Sequence, residues 1–303
     1  MGTQGKDKAK IIVILGPTAS GKSDMAVSIA KKFNGEVVSA DSRQVYKGLD
    51  IGSGKITKEE MGGVPHYLLD VASPKRRFTV SQYQKKAKLA TEKILKKKKL
   101  PIICGGTPFY IDALVEGTTF PKVTPDSSLR SKLEKETNED LLNRLRKFDK
   151  KRAENIDKKN RRRLIRAVEI VEKTGSPVPS LEKNPPYHSL LLGIKIDQER
   201  LNERIEKRLK KRMDEGMIDE VKKLRKEGVS FKRLESLGLE YRWVSLYLQN
   251  KVSYAEMTER LCSDIKKFSK RQMTWWKHDP RISWIKNEKE AKKLVESFLF
   301  TAS

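Results

Sequence analysis

The residues that offer the clearest chemistry are Gly16-Pro17-Thr18-Ala19-Ser20-Gly21-Lys22-Ser23, which satisfy the pattern G-x-x-x-x-G-K-[ST]. Gly16 and Gly21 let backbone N–H groups turn inward onto phosphate oxygens. Lys22 adds a point charge for a terminal phosphate, and the Ser23 hydroxyl can ligate Mg²⁺. Such a loop holds a diphosphate or triphosphate, but it does not choose a reaction. Kinases, GTPases, ATPases and transferases with a diphosphate leaving group can all use it. A switch GTPase would also carry an N-K-x-D motif, and none stands in a suitable context. A hydrolytic ATPase would end a hydrophobic strand in Asp, whereas Leu100 to Cys104 runs into Gly105-Gly106-Thr107. Kinase-like and transferase readings remain.

A second candidate is Asp41, in Ser39-Ala40-Asp41-Ser42-Arg43-Gln44-Val45-Tyr46. It follows a short strand and is expected at the carboxyl end of that strand, next to the phosphate-loop strand, where open α/β sheets bind ligands. A carboxylate there can accept a proton, or it can cap a helix or pair with an arginine. The amide of Gln44 matches the hydrogen-bonding edge of adenine. A third pattern is Arg200, Arg204, Arg208 and Arg212, which recur every four residues along one helical face. Like charges at that spacing repel, so a polyanion or the interleaved Glu203 and Glu206 must compensate.

These residues need a frame to hold them. Ile11 to Leu15 is an uninterrupted apolar run, the pattern of a strand buried on both faces. Asp24 to Phe33 has helical spacing of apolar residues and ends at Asn34-Gly35. Glu36 to Ala40 reads as a second strand, which completes a βαβ opening. Tyr46 to Pro74 reads mostly as loop near the active face. Val80 to Leu100 reads as a helix whose closing lysines favour its C-terminus, and Pro101 to Cys104 as the next strand. Residues 121–186 are heavily charged, helical and bounded by prolines, and they read as an insert. Leu190 to Ile196 resumes the sheet. Arg200 to Lys226, broken at Gly216, is a long helix, Tyr254 to Lys277 is another, and Glu288 to Phe298 is a last short one.

At 303 residues, the chain suits one large domain plus a smaller one. The expected division is a core of 1–120 and 187–303 with 121–186 inserted. The 66 Lys and Arg outweigh 40 Asp and Glu to give a net charge of +26. Such a field draws in phosphate polyanions, although lysine as surface filler would produce the same excess. Cys104 reads as a core residue, and with Cys262 it makes no metal or disulfide pattern. Met1 to Lys10 has no signal-peptide core. No apolar run approaches the roughly 20 residues of a membrane span. The expectation is a cytoplasmic protein with no membrane partner.

Several segments together carry a family likeness: Gly16 to Ser23, Asp41 to Gly52 (DSRQVYKGLDIG), Pro65 to Asp70 (PHYLLD) and Gly105 to Tyr110 (GGTPFY). They are followed in order by Arg162 to Glu169 (RRLIRAVE), the Arg200 to Gly216 helix and Lys270 to Trp276 (KRQMTWW). On these the chain closely resembles the bacterial tRNA dimethylallyltransferases, also called tRNA isopentenyltransferases. The resemblance implies an α/β fold: a P-loop nucleoside triphosphate hydrolase-like parallel sheet core with an inserted helical subdomain. It implies transfer of a dimethylallyl group from dimethylallyl diphosphate to N6 of adenosine 37, beside the anticodon of tRNAs reading codons that begin with U. The alternative from the residues alone is a P-loop nucleotide or small-molecule kinase. A non-catalytic RNA-binding protein is a third reading.

By the resemblance, Asp41 engages the adenine amine, and Thr107 bonds in the reaction centre. Arg208 clamps the diphosphate with Gly16, Thr18, Ala19, Ser20, Gly21, Lys22 and Ser23, and Mg²⁺ sits on Ser23. Thr18, Asp41, Ser42 and Gln44 meet the target base. Arg162, Arg163, Arg166, Lys270, Arg271 and Gln272 are candidates for the tRNA anticodon stem-loop. Phe109, Tyr110, Trp275 and Trp276 are candidates for base stacking, with core packing as the competing role for the two tryptophans. A monomer is implied. Two departures stand out: Tyr67 where a second histidine is common, and Gly238-Leu239-Glu240-Tyr241-Arg242 in place of Gly-Tyr-[Lys/Arg]-Glu.

Overall fold

The structure is a computed structural model that describes residues 8–301; of the polar start, residues 1–7 lie outside this range. It divides into two compact units. One runs to Gly117 and resumes at Pro185, and the other is Thr118–Asn184.

The first unit opens with β1 (Lys10–Leu15), α1 (Lys22–Lys32) and β2 (Gly35–Ser39). The segment read as loop then holds α2 (Lys58–Met61) and the two-residue β3 (His66–Tyr67). Next come α3 (Val80–Lys96), β4 (Leu100–Gly105) and α4 (Pro108–Val115). The second unit is helical, with α5 (Ser127–Leu133), α6 (Asn138–Phe148), α7 (Lys150–Asn155) and α8 (Arg161–Thr174). The first unit resumes with β5 (His188–Ile194), α9 (Gln198–Asp214), α10 (Met217–Lys226), α11 (Phe231–Leu237) and α12 (Leu239–Leu248). It closes with α13 (Tyr254–Trp276), β6 (Ile282–Ile285) and α14 (Glu288–Phe300).

The six strands form one sheet in the order β3-β2-β4-β1-β5-β6, and every pair is parallel. The apolar run of β1 is explained by its central place, because side chains alternate between two covered faces. Ile11, Val13 and Leu15 join the core that includes Tyr83, Ile205 and Leu261 from α3, α9 and α13. Ile12 and Ile14 join the core built on Ala26 and Ile29 of α1 and Ala291 and Val295 of α14. Cys104 lies in this second core, as expected.

The sheet order corrects one expectation. The strand that delivers Asp41 is not beside the phosphate-loop strand, because β4 lies between β2 and β1. The close of α3 is also revised. The helix stops at Lys96, and the chain turns through Lys98 at φ 56°. Of the four lysines, only Lys96 lies within the helix. Lys97 and Lys99 instead bond the buried carboxylate of Glu36, at 3.0 and 2.9 Å. Burial alone would raise that carboxyl, but hydrogen bonds from Lys99, Tyr67 and Lys97 bring it down to about 2. Tyr67, one of the departures, thus has a structural role, because its hydroxyl donates to Glu36 at 2.7 Å.

The second unit has its own core around Leu141, Leu145, Leu164 and Val168. Its buried ion is Glu169, which accepts two bonds from Arg130, at 2.8 and 2.6 Å, and one from the Asp126 amide at 2.7 Å.

Candidate active site

Three loops leave the carboxyl ends of β1, β4 and β2, and their order in the sheet sets the site. The phosphate loop follows β1. Ala19 within it is left-handed at φ 62° and Gly21 at φ 91°. For an alanine that backbone costs about 1–2 kcal/mol, which the fold bears to keep the loop wrapped. Gly21 stands at the N-cap of α1 and supplies no side-chain cap, so the first-turn amides and the positive end of the helix dipole face an incoming anion. The Ser20 hydroxyl is buried and, among the described residues, has no hydrogen-bond partner. Lys22 folds over the loop and donates from Nζ to the Pro17 carbonyl at 2.7 Å. Burial lowers its pKa to about 8; the charge of Arg208 pushes the same way and that of Asp41 opposes.

The turn after β4 ties the neighbouring loops together. Thr107 donates its N–H to the Ala40 carbonyl at 3.2 Å, and its hydroxyl accepts from the Ser42 N–H at 3.0 Å. Gly105 makes this approach possible, since a Cβ there would lie 2.2 Å from the Ala40 oxygen. Thr107 therefore follows the strand between the phosphate loop and Asp41. One carboxylate oxygen of Asp41 accepts from the N–H groups of Arg43 and Gln44, at 2.7 and 3.3 Å. This turn orients the carboxylate. Its charge is felt by both Lys22 and Arg208.

The arginine row of α9 completes the site. Arg204 reaches the Ser20 carbonyl of the phosphate loop at 3.4 Å, Arg208 the Gly54 carbonyl at 3.2 Å and Arg212 the Gly52 carbonyl at 3.2 Å. Burial, together with the adjacent Arg212, lowers the Arg208 pKa to about 10, against opposing charges on Glu240, Asp41 and Glu60. Two cations this close favour an anion between them and Lys22. Arg200 lies outside this group, near the N-terminus of α9, and it is exposed.

Other candidates are placed differently. The Gln44 amide is already engaged, since it accepts from the Ser39 hydroxyl at 3.3 Å and donates to the Gly54 carbonyl at 3.1 Å. These bonds use one of the amide's two acceptor and one of its two donor positions, and they tie Gln44 to Ser39 and to the Asp50–Gly54 loop. Gln272 is not an open RNA contact. It is buried, donates to the Gly106 carbonyl at 2.5 Å and accepts from the Thr18 N–H at 2.9 Å. It clips α13 to the phosphate loop and the β4 turn. Lys270 and Arg271 beside it are exposed on α13. Arg166 is spent within the second unit on Glu169, at 2.5 Å, and on the Val123 carbonyl at 2.9 Å. Arg162 and Arg163 are exposed in the first turn of α8, where positive charge opposes the helix dipole. Helix stability therefore gives no reason for them.

The aromatic candidates divide. Tyr110 is buried and stacked on Tyr83, with centroids 4.0 Å apart, so it serves the core. Trp276 is buried, whereas Trp275 is 49% exposed and donates to Asp112 at 3.1 Å. Phe109 is also exposed.

Sequence reading missed Glu220 and Tyr241, which grip the Asp50–Ser53 loop, and Lys55, which pairs with Asp50 and Asp70 at 2.5 Å each. The departure at Gly238–Arg242 pointed toward Tyr241, and no sequence signal pointed toward Glu220 or Lys55.

The chain is similar to proteins already known. The model of the family described as IPP transferase matches residues 44–279. A tRNA dimethylallyltransferase of Acetivibrio thermocellus is 40% identical over 287 residues, which covers 92% of each chain. The tRNA dimethylallyltransferase 2 of Treponema denticola is 41% identical over 288 residues, covering 92% of this chain and 96% of its own. Among solved structures, the full-length tRNA isopentenylpyrophosphate transferase of Bacillus halodurans superposes with a TM-score of 0.72 at 34% identity, covering 96% of each chain.

Proposed function

This chain belongs to the IPP transferase family, and from that premise we propose how its site carries out prenyl transfer to tRNA. The donor is dimethylallyl diphosphate. The acceptor is N6 of adenosine 37 in tRNAs that read codons beginning with U. The C1–O bond of the donor breaks, its electron pair leaves with diphosphate, and a bond forms from N6 to C1. The amine proton passes to Asp41. No ATP is consumed. The kinase alternative draws no support from the relatives.

The observation that carries this reading is the convergence of Asp41, Thr107, the phosphate loop and Arg208 at the carboxyl ends of β2, β4 and β1. The N6 lone pair is delocalised into the adenine ring, so the amine must lose its proton as the new bond forms. A carboxylate held by its turn can do that, an effect of about 10² to 10⁴ in rate. Charge builds on the departing oxygens, where the α1 amides, Lys22 and Arg208 face it. Mg²⁺ fits here through Ser23. Among the described residues, no cluster of three metal-binding side chains exists, and Mg²⁺ on a diphosphate needs few protein ligands. When bound, it would neutralise leaving-group charge. A single-stranded anticodon loop presents its base at lower cost than a duplex. Exposed Lys270, Arg271, Arg162 and Arg163 suit phosphate contacts of the stem-loop. The enzyme is proposed to act in the cytoplasm as a monomer; no helix among the described residues is long and apolar enough to cross a membrane.

The test is to incubate the protein with Mg²⁺, dimethylallyl diphosphate and unmodified tRNA, then weigh the nucleosides. One C₅H₈ gain on adenosine is expected. Phosphoryl transfer from ATP without that gain would sink the reading. Asp41→Ala should lose product while tRNA binding persists; full activity in that variant would remove Asp41 from the mechanism.

A further inference from the structure

The loop Asp50–Gly54 is gripped from two sides. On one side, four consecutive amides converge on a single acceptor pair. The Glu220 carboxylate accepts from the N–H groups of Asp50, Ile51 and Gly52, at 2.8, 2.6 and 3.0 Å. The Tyr241 hydroxyl donates to Glu220 at 2.8 Å and accepts from the Ser53 N–H at 3.0 Å. On the other side, the Gly52 carbonyl accepts from Arg212 and the Gly54 carbonyl from Arg208. Arg212 also meets Glu240 at 3.3 Å.

A carboxylate that occupies a concave run of amides does what a bound anion does in such nests. Here it is supplied by the fold, so the nest is filled and its outer face is shaped for another purpose. That face presents the Gly54 carbonyl to Arg208. The Arg208 and Arg212 guanidinium groups repel each other, so Arg208 needs a fixed acceptor to stay near Lys22 and Asp41, whose charges it feels. The loop provides one without spending a full negative charge that would compete with the substrate.

We infer that Glu220 and Tyr241 are positioning residues for the transfer reaction, acting through the Asp50–Gly54 backbone on Arg208. This rests on the proposed prenyl transfer. It also explains the departure at residues 238–242: Glu240 holds Arg212, and Tyr241 bridges Glu220 to Ser53.

The experiment is steady-state kinetics on the full chain with dimethylallyl diphosphate and tRNA, plus calorimetric binding of inorganic diphosphate. Tyr241→Phe keeps the buried ring and removes only the bridging hydroxyl. Glu220→Gln replaces one acceptor by a donor that faces N–H groups. The KM for dimethylallyl diphosphate should rise about 5- to 10-fold in Tyr241→Phe, and kcat/KM should fall about 10- to 100-fold in Glu220→Gln. The KM for tRNA should stay within about twofold. In an Arg208→Ala background, Tyr241→Phe should change diphosphate affinity by less than about twofold, because the two act as one unit. A folded Tyr241→Phe with unchanged donor KM, or losses that add fully on top of Arg208→Ala, would overturn the inference. A merely structural role would lower thermal stability without this split between donor and tRNA. Absence of product from the unaltered protein would instead refute the prenyl-transfer reading. If Glu220→Gln does not fold, Tyr241→Phe decides alone.

Discussion

Gly54→Ala should inactivate the enzyme by moving two arginines, and a second glycine shows how to separate that from backbone strain. Gly54 has φ +59°, and a Cβ there would lie 1.6 Å from Nη2 of Arg212 and 2.2 Å from Nη2 of Arg208. The left-handed backbone costs alanine about 1–2 kcal/mol. The methyl group must also displace both guanidiniums, which are mobile ends and can move. Their displacement forfeits the Arg208 bond to Gly54 and the Arg212 bond to Gly52. Loss of one oriented donor to a developing anion typically costs roughly 10² to 10³ in kcat. The control is Gly63→Ala. Gly63 has φ +84° with nothing within 4 Å of a Cβ, so it carries the backbone cost alone. Gly63→Ala should lose about 1–2 kcal/mol in denaturant unfolding and Gly54→Ala roughly 1–3 kcal/mol more for the forfeited bonds, but only Gly54→Ala should lose kcat/KM, by about 10²-fold or more. If folded Gly54→Ala retains kcat/KM within about threefold, Arg208 does not act from where the Gly54 carbonyl holds it.

Three other outcomes are expected. The Lys22 pKa is lowered from 10.5 to about 8, so the unfolded chain binds more protons between those values and wild-type stability rises with pH across that window. Ligand-free Lys22→Met should therefore melt higher than wild type at pH 7, with the gap closing by about pH 10; a lower midpoint at pH 7 contradicts this. Glu169 is fully buried, and although burial alone would raise its pKa, bonds from Arg130, the Asp126 amide and Arg166 hold it below the usual 4.5. Its stabilisation is present above that value and fades as pH falls. Glu169→Gln should cost about 3–5 kcal/mol, read as loss of amide-exchange protection in α5 and α8. Protection equal to wild type would show that the ion network is dispensable. Trp276→Ala should destabilise by about 3–5 kcal/mol. Trp275→Ala should leave stability within about 1 kcal/mol but raise the KM for tRNA; an unchanged KM removes Trp275 as a base-stacking surface.

The phosphate loop was legible because its chemistry lies in eight consecutive residues whose flanking strand and helix announce themselves by apolar spacing. Charge and proline placement pointed to an insert at 121–186, and the structure divides the chain at Thr118–Asn184. Asp41 was legible as a residue at a strand end, because the turn that holds it is local. Its neighbours were not. Strand periodicity reports burial on two faces but not the order of strands, so the intervening β4, which puts Thr107 between acid and phosphate loop, came only with the assembled sheet. The same limit hid the roles of Gln44 and Gln272. A glutamine amide suits a base edge and a backbone carbonyl equally, and the choice rests on which partner the fold brings near.

What the sequence determined by itself was therefore the local chemistry: a phosphate cradle, a carboxylate at a strand end and a row of arginines on one helix. What only the tertiary structure decided was which of these share a site and what steadies them. Gln272 meets Thr18 across 254 residues, and Glu220 meets Asp50 across 170. No spacing rule reaches that far. Such contacts arise when separate elements bury their apolar faces against one sheet, and a buried backbone amide or carboxylate must then find a partner among whatever that packing has brought within reach.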